Sequence, residues 1–291
     1  MKTFSIKRIL VPVDFSETGM LAIDHAASIA KSFSAHLYLL HVAKSIEYAY
    51  TGERHGTEAE NVSEGHHTAS ERIDKVVEDL RSRYIINVSP LINVGKLAQG
   101  VNTICKDENI DLVIMGTHGA SGFEEYVMGS NADKVVDAAP CPVITIQSPV
   151  TKTELTNIVM PIDNSFHSRQ KIDYVITLAK HYNATIHLLG LYNNLVKEKK
   201  FNIKLESAED AIKKAKLPYV KKVVNCHDVA IEAMKYSYEV RADLLVIMTD
   251  HEESRYSGFL LGSKHVINHS KVPVMSIKPT EYYVTGGMYS N

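Results

Sequence analysis

The sequence has no tryptophan, only three cysteines and no apolar run long enough to cross a bilayer. Cys105, Cys141 and Cys226 are widely spaced and odd in number, which argues against a disulfide framework and for packing in the core. An excess of charge of one sign is also lacking, since 32 Lys and Arg stand against 34 Asp and Glu. This balance gives no electrostatic case for binding to nucleic acid or to a membrane surface.

The remaining composition is that of an ordinary globular protein. Of the 291 residues, 45% are hydrophobic and 23% are charged. At roughly 100–200 residues per domain, this length predicts two domains, each with its own core. The apolar run near the amino terminus reaches Pro12 and Asp14 too early for a signal peptide. We therefore expect a soluble, cytoplasmic protein.

An internal repeat runs through the chain. The segment Ile-Leu-Val-Pro-Val-Asp that ends at Asp14 returns as Ile-Val-Met-Pro-Ile-Asp ending at Asp163, a separation of 163 − 14 = 149 positions. Further segments recur in the same order, namely 111–115 as 243–248, 129–130 as 262–263 and 141–146 as 272–277. This order indicates a tandem duplication. We expect one domain over 1–149, a second over 154–279 and a tail over 280–291.

Buried strands alternate with amphipathic helices in the first half. Short apolar runs predict strands over 8–13, 37–42, 86–92, 111–116 and 143–147. Apolar stripes at helical spacing lie between successive strands. Strands that lack polar alternation indicate a parallel sheet covered on both faces, and ligands of such sheets bind beyond the carboxyl ends of the strands.

Two polar stretches interrupt this pattern. Residues 45–67 carry many Glu and His residues without an apolar period, which predicts a surface loop. The corresponding stretch of the second half, 193–207, is shorter and rich in lysine. We treat both stretches as connecting segments.

A glycine-rich segment follows the fourth predicted strand. It runs as Gly116-x2-Gly119-x9-Gly129-Ser130 and leads into a helix from Asn131. Glycines let the backbone approach a ligand closely, and a helix start offers free N–H groups to phosphate. The segment has neither the Gly-Lys-Ser/Thr of a P-loop nor the close glycines of a dinucleotide fingerprint.

Asp14 ends the first predicted strand and should lie beside this glycine segment. Its carboxylate could accept a hydrogen bond from a base or sugar, or hold a metal. The alternative is that Asp14 or Ser16 only caps the following helix. The residues alone leave both interpretations open.

The glycine spacing resembles the ATP-binding signature of the universal stress protein family. The Val-Pro-Val-Asp-Phe-Ser opening and the Cys-Pro-Val-Ile close of the first half resemble that family too. The resemblance covers nearly the whole chain as two copies. It implies an α/β fold of two tandem, doubly wound, five-stranded parallel-sheet sandwich domains (Rossmann-like, adenine nucleotide alpha hydrolase-like). It also implies that the fifth strands pair the two halves as an intrachain pseudo-dimer.

The resemblance implies a stress-response sensor or regulator that binds ATP or a related adenine nucleotide, commonly with magnesium. The family's nucleotide contacts carry over onto matching positions: Pro12, Val13 and Asp14 at the adenosine, Val42 beside the base, Met115, Gly116, His118 and Gly119 along the ribose and phosphates, and Gly129, Ser130 and Asn131 at the phosphates. Ala132 departs from the pattern, because many members carry a hydroxyl there.

The second copy of the glycine segment looks degenerate. Aligning Met115 with Met248 places Thr249 at Gly116 and Glu252 at the next glycine. Side chains at these points strain the backbone, and a carboxylate repels phosphate. We therefore expect that the second half does not bind ATP as the first does. It either binds another ligand, such as a non-nucleotide metabolite, or serves only as a dimer-like partner.

Catalysis and metal binding have little support in the sequence. His265 and His269 have the i, i+4 spacing of zinc ligands, but no third ligand is evident, so we predict surface histidines. No P-loop lysine or arginine finger is recognisable, which argues against an efficient enzyme. The enzyme alternative is a slow ATPase or phosphotransferase that uses His118. Protein partners and assembly into a homodimer stay open.

Overall fold

A computed structural model describes residues 4–43, 58–117, 130–147, 154–165, 167–192, 198–249 and 262–280, with backbone alone for 58–68, 130 and 198–200. The first half consists of β1 (Arg8–Pro12), α1 (Glu17–Phe33), β2 (His36–Ala43), α2 (Glu58–Tyr84), β3 (Val88–Val94), α3 (Leu97–Asp107), β4 (Leu112–Gly116), α4 (Ser130–Ala138) and β5 (Val143–Ile146). The second half consists of β6 (Asn157–Ile162), α5 (Ile172–Tyr182), β7 (Thr185–Tyr192), α6 (Glu198–Lys214), β8 (Tyr219–Asn225), α7 (Val229–Glu239), β9 (Leu244–Met248), α8 (Ser263–His269) and β10 (Val274–Ile277).

All these strands form one sheet in the order β3-β2-β1-β4-β5-β10-β9-β6-β7-β8. Neighbouring strands within each half are parallel. The two halves join through β5 and β10, which are antiparallel and place Met275 opposite Ile144. The structure thus confirms two doubly wound α/β halves and their predicted pairing through the fifth strands.

Helices cover both faces of the sheet, as parallel strands require. One core contains Ile23 of α1, Ile73 of α2, Val175 of α5 and Phe201 of α6. The core on the other face contains residues of the remaining helices, namely Val101, Val135, Ala233 and Val266. Strand residues alternate between the two cores and are buried in both, which explains why the strands read as unbroken apolar runs.

The structure corrects the loop prediction for 45–67 in part and shows a helix in the corresponding stretch of the second half. Helix α2 already begins at Glu58, so the part of the predicted loop over 58–67 is helical. The sequence over 58–67 is polar and has no apolar period, so the prediction had no helical signal there. In the second half, α6 begins at Glu198 and buries Phe201 and Leu205, a pair at helical spacing. Residues 44–57 and 193–197 lie outside the described residues.

Candidate functional site

The order in which strands are added to the sheet changes sides at β1. From β1 the chain passes to β2 on one side and later returns to β4 on the other side. Ligands of doubly wound sheets bind at such a switch point, in the crevice beyond the carboxyl ends of the strands. Asp14 follows β1 and Gly116 ends β4, so these two predicted residues lie at the switch point. We call this region the first crevice.

Asp14 both organises the loop after β1 and faces solvent. Its Oδ1 accepts hydrogen bonds from the backbone N–H of Ser16 at 3.0 Å and from the Ser16 hydroxyl at 2.6 Å. Ser16 Oγ in turn accepts from the N–H of Gly19 at 3.0 Å and caps α1. Within the described part of the chain, these hydrogen bonds engage only Oδ1. Ser16 is therefore the helix cap, and the Asp14 carboxylate is exposed.

Two glycines allow close packing at the start of α1. A Cβ atom on Gly19 would lie 2.5 Å from Asp14 Oδ1. A Cβ on Gly116 would lie 2.9 Å from the carbonyl carbon and oxygen of Thr18. Both distances are shorter than side-chain contacts allow, so the first turn of α1 packs directly on the end of β4. The sequence prediction missed Gly19, although a glycine in the first turn of a helix is a signal of close packing.

The other predicted residues line this edge of the sheet. The N–H of Val13 donates to the carbonyl of Leu40 at 2.8 Å, which continues the sheet past β1. Pro12 and Met115 are buried beneath the crevice. Val42 lies near the carboxyl end of β2 and is partly buried.

The predicted phosphate end is only partly described. Asn131 lies in the first turn of α4 and is exposed. Ser130 begins α4, and its side chain is not described. His118, Gly119 and Gly129 lie outside the described residues. The structure thus places Pro12, Val13, Asp14 and Val42 at the ends of the neighbouring strands β1 and β2, and their contact with a nucleotide stays a prediction.

Aromatic packing supports the loop that carries Asp14. Phe15 adopts the left-handed conformation with φ 58°, which is strained for a bulky residue. Its ring lies 5.2 Å from the ring of His41, and the guanidinium of Arg72 lies 4.1 Å above it. The Nδ1 atom of His41 is 2.8 Å from the carbonyl oxygen of Val13. These contacts tie α2 and β2 to the rim of the first crevice.

Strand register corrects the predicted alignment of the two copies. Ile277 pairs with Met248 as Ile146 pairs with Gly116. The N–H of Thr249 donates to Ile277 in the same way that Thr117 donates to Ile146. Met248 therefore corresponds to Gly116, and the alignment that placed Thr249 there is wrong by one residue. The methionines near the two strand ends had suggested the false register. Glu252 lies outside the described residues.

The corresponding region of the second half differs in burial and in residue type. Asp163 Oδ1 accepts from the N–H and hydroxyl of Ser165 at 3.0 and 2.7 Å, as Asp14 does from its own serine. Asp163, however, is only 6% exposed. Ser168 stands where Gly19 stands in the first half (19 + 149 = 168), and its Oγ accepts from the N–H of Asp163 at 3.0 Å.

A buried lysine adds to this difference. Lys171 is 3% exposed, and burial lowers its pKa to about 8 against the opposing effect of the Asp163 charge. Helix α5 begins only at Ile172 and has 11 residues, whereas α1 has 17. Met248 is buried at the end of β9, where a glycine lets α1 approach in the first half. The second half therefore has a buried aspartate, with a serine and a methionine at the positions of the two glycines and a buried lysine just before α5.

The histidine pair has the expected spacing but no further ligand. The rings of His265 and His269 lie 4.4 Å apart on α8. Among the residues that the structure describes, no three His, Cys, Asp or Glu side chains could hold a metal ion together. Nor does any helix in the described ranges have the length and apolar character needed to cross a membrane.

Comparison with known proteins identifies the family. The sequence model of the universal stress protein family matches the chain twice, over residues 5–147 and 154–278. The chain belongs to the universal stress protein family. Its two matches make it a tandem, double universal stress protein.

Relatives of known name match one half at a time. A universal stress protein of Methanocaldococcus jannaschii is 28% identical over 145 residues, which cover 49% of this chain and 83% of the relative. Universal stress protein A homolog 1 of Coxiella burnetii is also 28% identical, over 48% of this chain and 95% of its own.

Solved structures of the family match the whole tandem. A universal stress protein from Archaeoglobus fulgidus superposes with a TM-score of 0.75 at 16% identity and covers 96% of this chain and 99% of its own. A putative universal stress protein from Pseudomonas aeruginosa has a TM-score of 0.64 at 18% identity over 96% of this chain and 95% of its own. These likenesses establish the arrangement of two halves in one sheet.

Proposed function

We propose that the first half binds an adenine nucleotide, ATP or a close relative, in the first crevice, and that binding makes the protein a sensor or regulator in a stress response. One observation carries the proposal. The exposed Asp14 and Gly116 lie at the carboxyl ends of the neighbouring strands β1 and β4, at the switch point of the sheet. The glycine segment that follows β4 and membership in the universal stress protein family support it further.

Each part of the site has a distinct chemical task in this proposal. Asp14 Oδ2 accepts a hydrogen bond from the base or the ribose, and Val42 packs against the base. The first turn of α4, at Ser130 and Asn131, offers N–H groups and a positive dipole end to the phosphates. Magnesium would accompany the phosphates and offset their charge.

The second half takes a different role in the proposal. Ser168 and Met248 stand at the positions of Gly19 and Gly116, and Lys171 is buried just before α5. We expect these differences to disfavour a nucleotide in the same pose. We infer that this half acts as a structural partner of the first and does not bind ATP in the same way.

Calorimetric titration of magnesium-ATP into nucleotide-stripped protein tests the proposal. We expect one site per chain. Asp14→Asn keeps the hydrogen-bond acceptor for Ser16 but removes the charge, so affinity should fall roughly 10- to 100-fold, the equivalent of about 1.5–3 kcal/mol. Asp24→Asn is the matched control, because Asp24 lies on α1 outside the crevice and pairs with Arg83.

Each outcome of the titration has a clear meaning. Two sites per chain would overturn the inference about the second half. An Asp14→Asn variant with unchanged affinity would place the nucleotide elsewhere. Analysis of the same mixture for released phosphate tests the enzyme alternative, since a binding protein returns its nucleotide intact.

A further inference from the structure

Two of the cysteines lie in contact in the first half. Cys105 is in the last turn of α3, and Cys141 lies just before β5. Their Sγ atoms are 4.0 Å apart. Cys105 is 3% exposed, whereas Cys141 is partly exposed. The sequence predicted only core packing for these cysteines, because the distance between them depends on how α3 packs against the start of β5.

The second half has no equivalent of this thiol pair. Helices α3 and α7 correspond residue by residue, from Leu97 to Val229 at their starts, so Ser237 takes the place of Cys105 (105 + 132 = 237). Val272 takes the place of Cys141, since each precedes a proline and the fifth strand of its half. The thiol pair is therefore confined to the first half.

We propose that Cys105 and Cys141 form a reversible disulfide when the protein meets a peroxide. The two sulfurs must approach from 4.0 Å to about 2.05 Å, which side-chain rotation with a small backbone adjustment can supply. Cys141 is the more exposed thiol and reacts first. Each half of the chain thereby has a different response to oxidant.

The reaction balances with hydrogen peroxide as the oxidant. The Cys141 thiolate attacks one peroxide oxygen, the O–O bond breaks, and the released hydroxide takes up the thiol proton as water. Cys141 is then a sulfenic acid. The sulfur of Cys105 attacks the sulfur of Cys141, the S–O bond breaks, and the Cys105 proton leaves with hydroxide as a second water. Two thiols and one peroxide thus become one disulfide and two waters.

The surroundings of the pair make this reaction slow. The hydrogen bond to Cys105, together with burial, raises the pKa of the Cys141 thiol. Little thiolate therefore exists at neutral pH, and the thiolate is the reactive form. The pair stays reduced under ordinary conditions and responds to high or prolonged peroxide.

The cross-link would close the chain between Cys105 and Cys141 into a ring. The chain between the two cysteines contains β4, Gly116, the glycine segment and α4. Closing this ring restricts the unfolded chain, and it also ties together the two ends of the segment. We expect the oxidised protein to melt several degrees higher and to exchange the amide hydrogens of β4 and α4 more slowly. Neither effect depends on nucleotide binding.

Peptide mapping after treatment with hydrogen peroxide and capping with an alkylating reagent tests the proposal. We expect two of the three thiols to be lost, one linked pair of peptides that contains Cys105 and Cys141, and full recovery with dithiothreitol. Cys226 should be recovered as the alkylated thiol. Over-oxidation of Cys141 without a link, or a link through Cys226, would overturn the proposal.

Variants that copy the second half sharpen the test. Cys141→Val and Cys105→Ser should each abolish the link, and in Cys105→Ser the sulfenic acid of Cys141 should be trapped by dimedone. Cys226→Ser should form the link as fast as the natural chain. A fully linked protein that melts no higher than its reduced form would refute the ring-closure effect. The natural chain decides the question of linkage even where a variant folds poorly.

Discussion

Ser32 Oγ and His181 Nε2 lie 2.6 Å apart, and the two residues occupy the same position in the two repeats (181 − 32 = 149). Corresponding residues can meet only beside a two-fold axis, so a pseudo-two-fold axis passes between α1 and α5. The next positions, Phe33 and Tyr182, also meet, with ring centroids 5.7 Å apart. The halves therefore contact each other through helices as well as through the sheet.

Removing an aromatic ring from this contact should destabilise the protein. Phe33 stacks on His181 with centroids 3.6 Å apart and is partly buried. We expect Phe33→Ala to cost about 2 kcal/mol of the free energy of unfolding in urea, because the stack and part of the burial are lost. Tyr238→Ala is the control, since Tyr238 is 68% exposed and should change stability by less than about 0.5 kcal/mol.

Stability should fall on acidification because of His25. This side chain is 2% exposed, and neither ring nitrogen has a partner among the described residues. Burial lowers its pKa from 6.5 to about 4, although the charge of Asp243 acts in the opposite direction. Between these values only the unfolded state takes up the proton, so stability present above pH 6.5 is lost as the pH falls toward 4.

His25→Leu should remove this contribution. Between pH 6.5 and 4 the His25 term lowers the free energy of unfolding of the natural chain by about 3 kcal/mol. The decrease in the variant over the same range should be smaller by that amount. Denaturation midpoints at pH 7.5 and pH 4.5 measure the difference. Parallel pH profiles for the two proteins would show that His25 does not titrate differently in the folded state.

Lys171 predicts an effect at alkaline pH. Its pKa in the folded protein is lowered from 10.5 to about 8 by burial. Between these values the unfolded state holds the proton that the folded state has lost, so the stability contributed by Lys171 rises with pH across this window. Lys171→Met should raise stability at pH 7 by up to about 3 kcal/mol and abolish that rise.

The exposed Lys180 provides the control for this experiment. It lies on the same helix, α5, so Lys180→Met removes the same charge without changing a buried group. The stability of this control should stay within about 0.5 kcal/mol of the natural chain at pH 7. A loss of stability in Lys171→Met would mean that the ammonium is favourably held.

The packing of α1 on β4 predicts that Gly116 tolerates no side chain. In Gly116→Ala the new methyl would lie 2.9 Å from the backbone of Thr18, and α1 would have to shift. We expect a loss of about 1–3 kcal/mol in thermal or chemical unfolding. In Gly262→Ala the nearest atom would be 3.8 Å from the new methyl, so this control should lose clearly less. Equal losses would contradict the close packing.

The sequence predicted the elements that depend on burial alone. Strands buried on both faces leave unbroken apolar runs, and parallel strands bring their carboxyl ends to one edge, which placed Asp14 and Gly116 together in advance. The start of α2 could not be predicted, because polar turns that face solvent have no period. Gly19 was missed because the meaning of a glycine depends on its neighbour in space, here Asp14.

The register of β9 shows a different limit. Matching Met115 to Met248 was reasonable by residue type, yet hydrogen bonding to β10 pairs Met248 with Ile277 and so equates it with Gly116. For deciding which positions of the two repeats correspond, an identical residue is weaker evidence than the residue paired with it on the neighbouring strand. The strand pairing is seen only in the folded sheet.

The antiparallel pairing of β5 with β10 joins the two halves as a dimer-like pair within one chain. Two separate copies would part on dilution, but a covalent tether keeps the halves together at any protein concentration. In a symmetric pair every substitution also appears twice, on both sides of the axis. Here each half can change alone, as the difference between Ser32 and its counterpart His181 illustrates. The two halves can therefore diverge in function within a single chain. One half can lose a binding site while the other retains it.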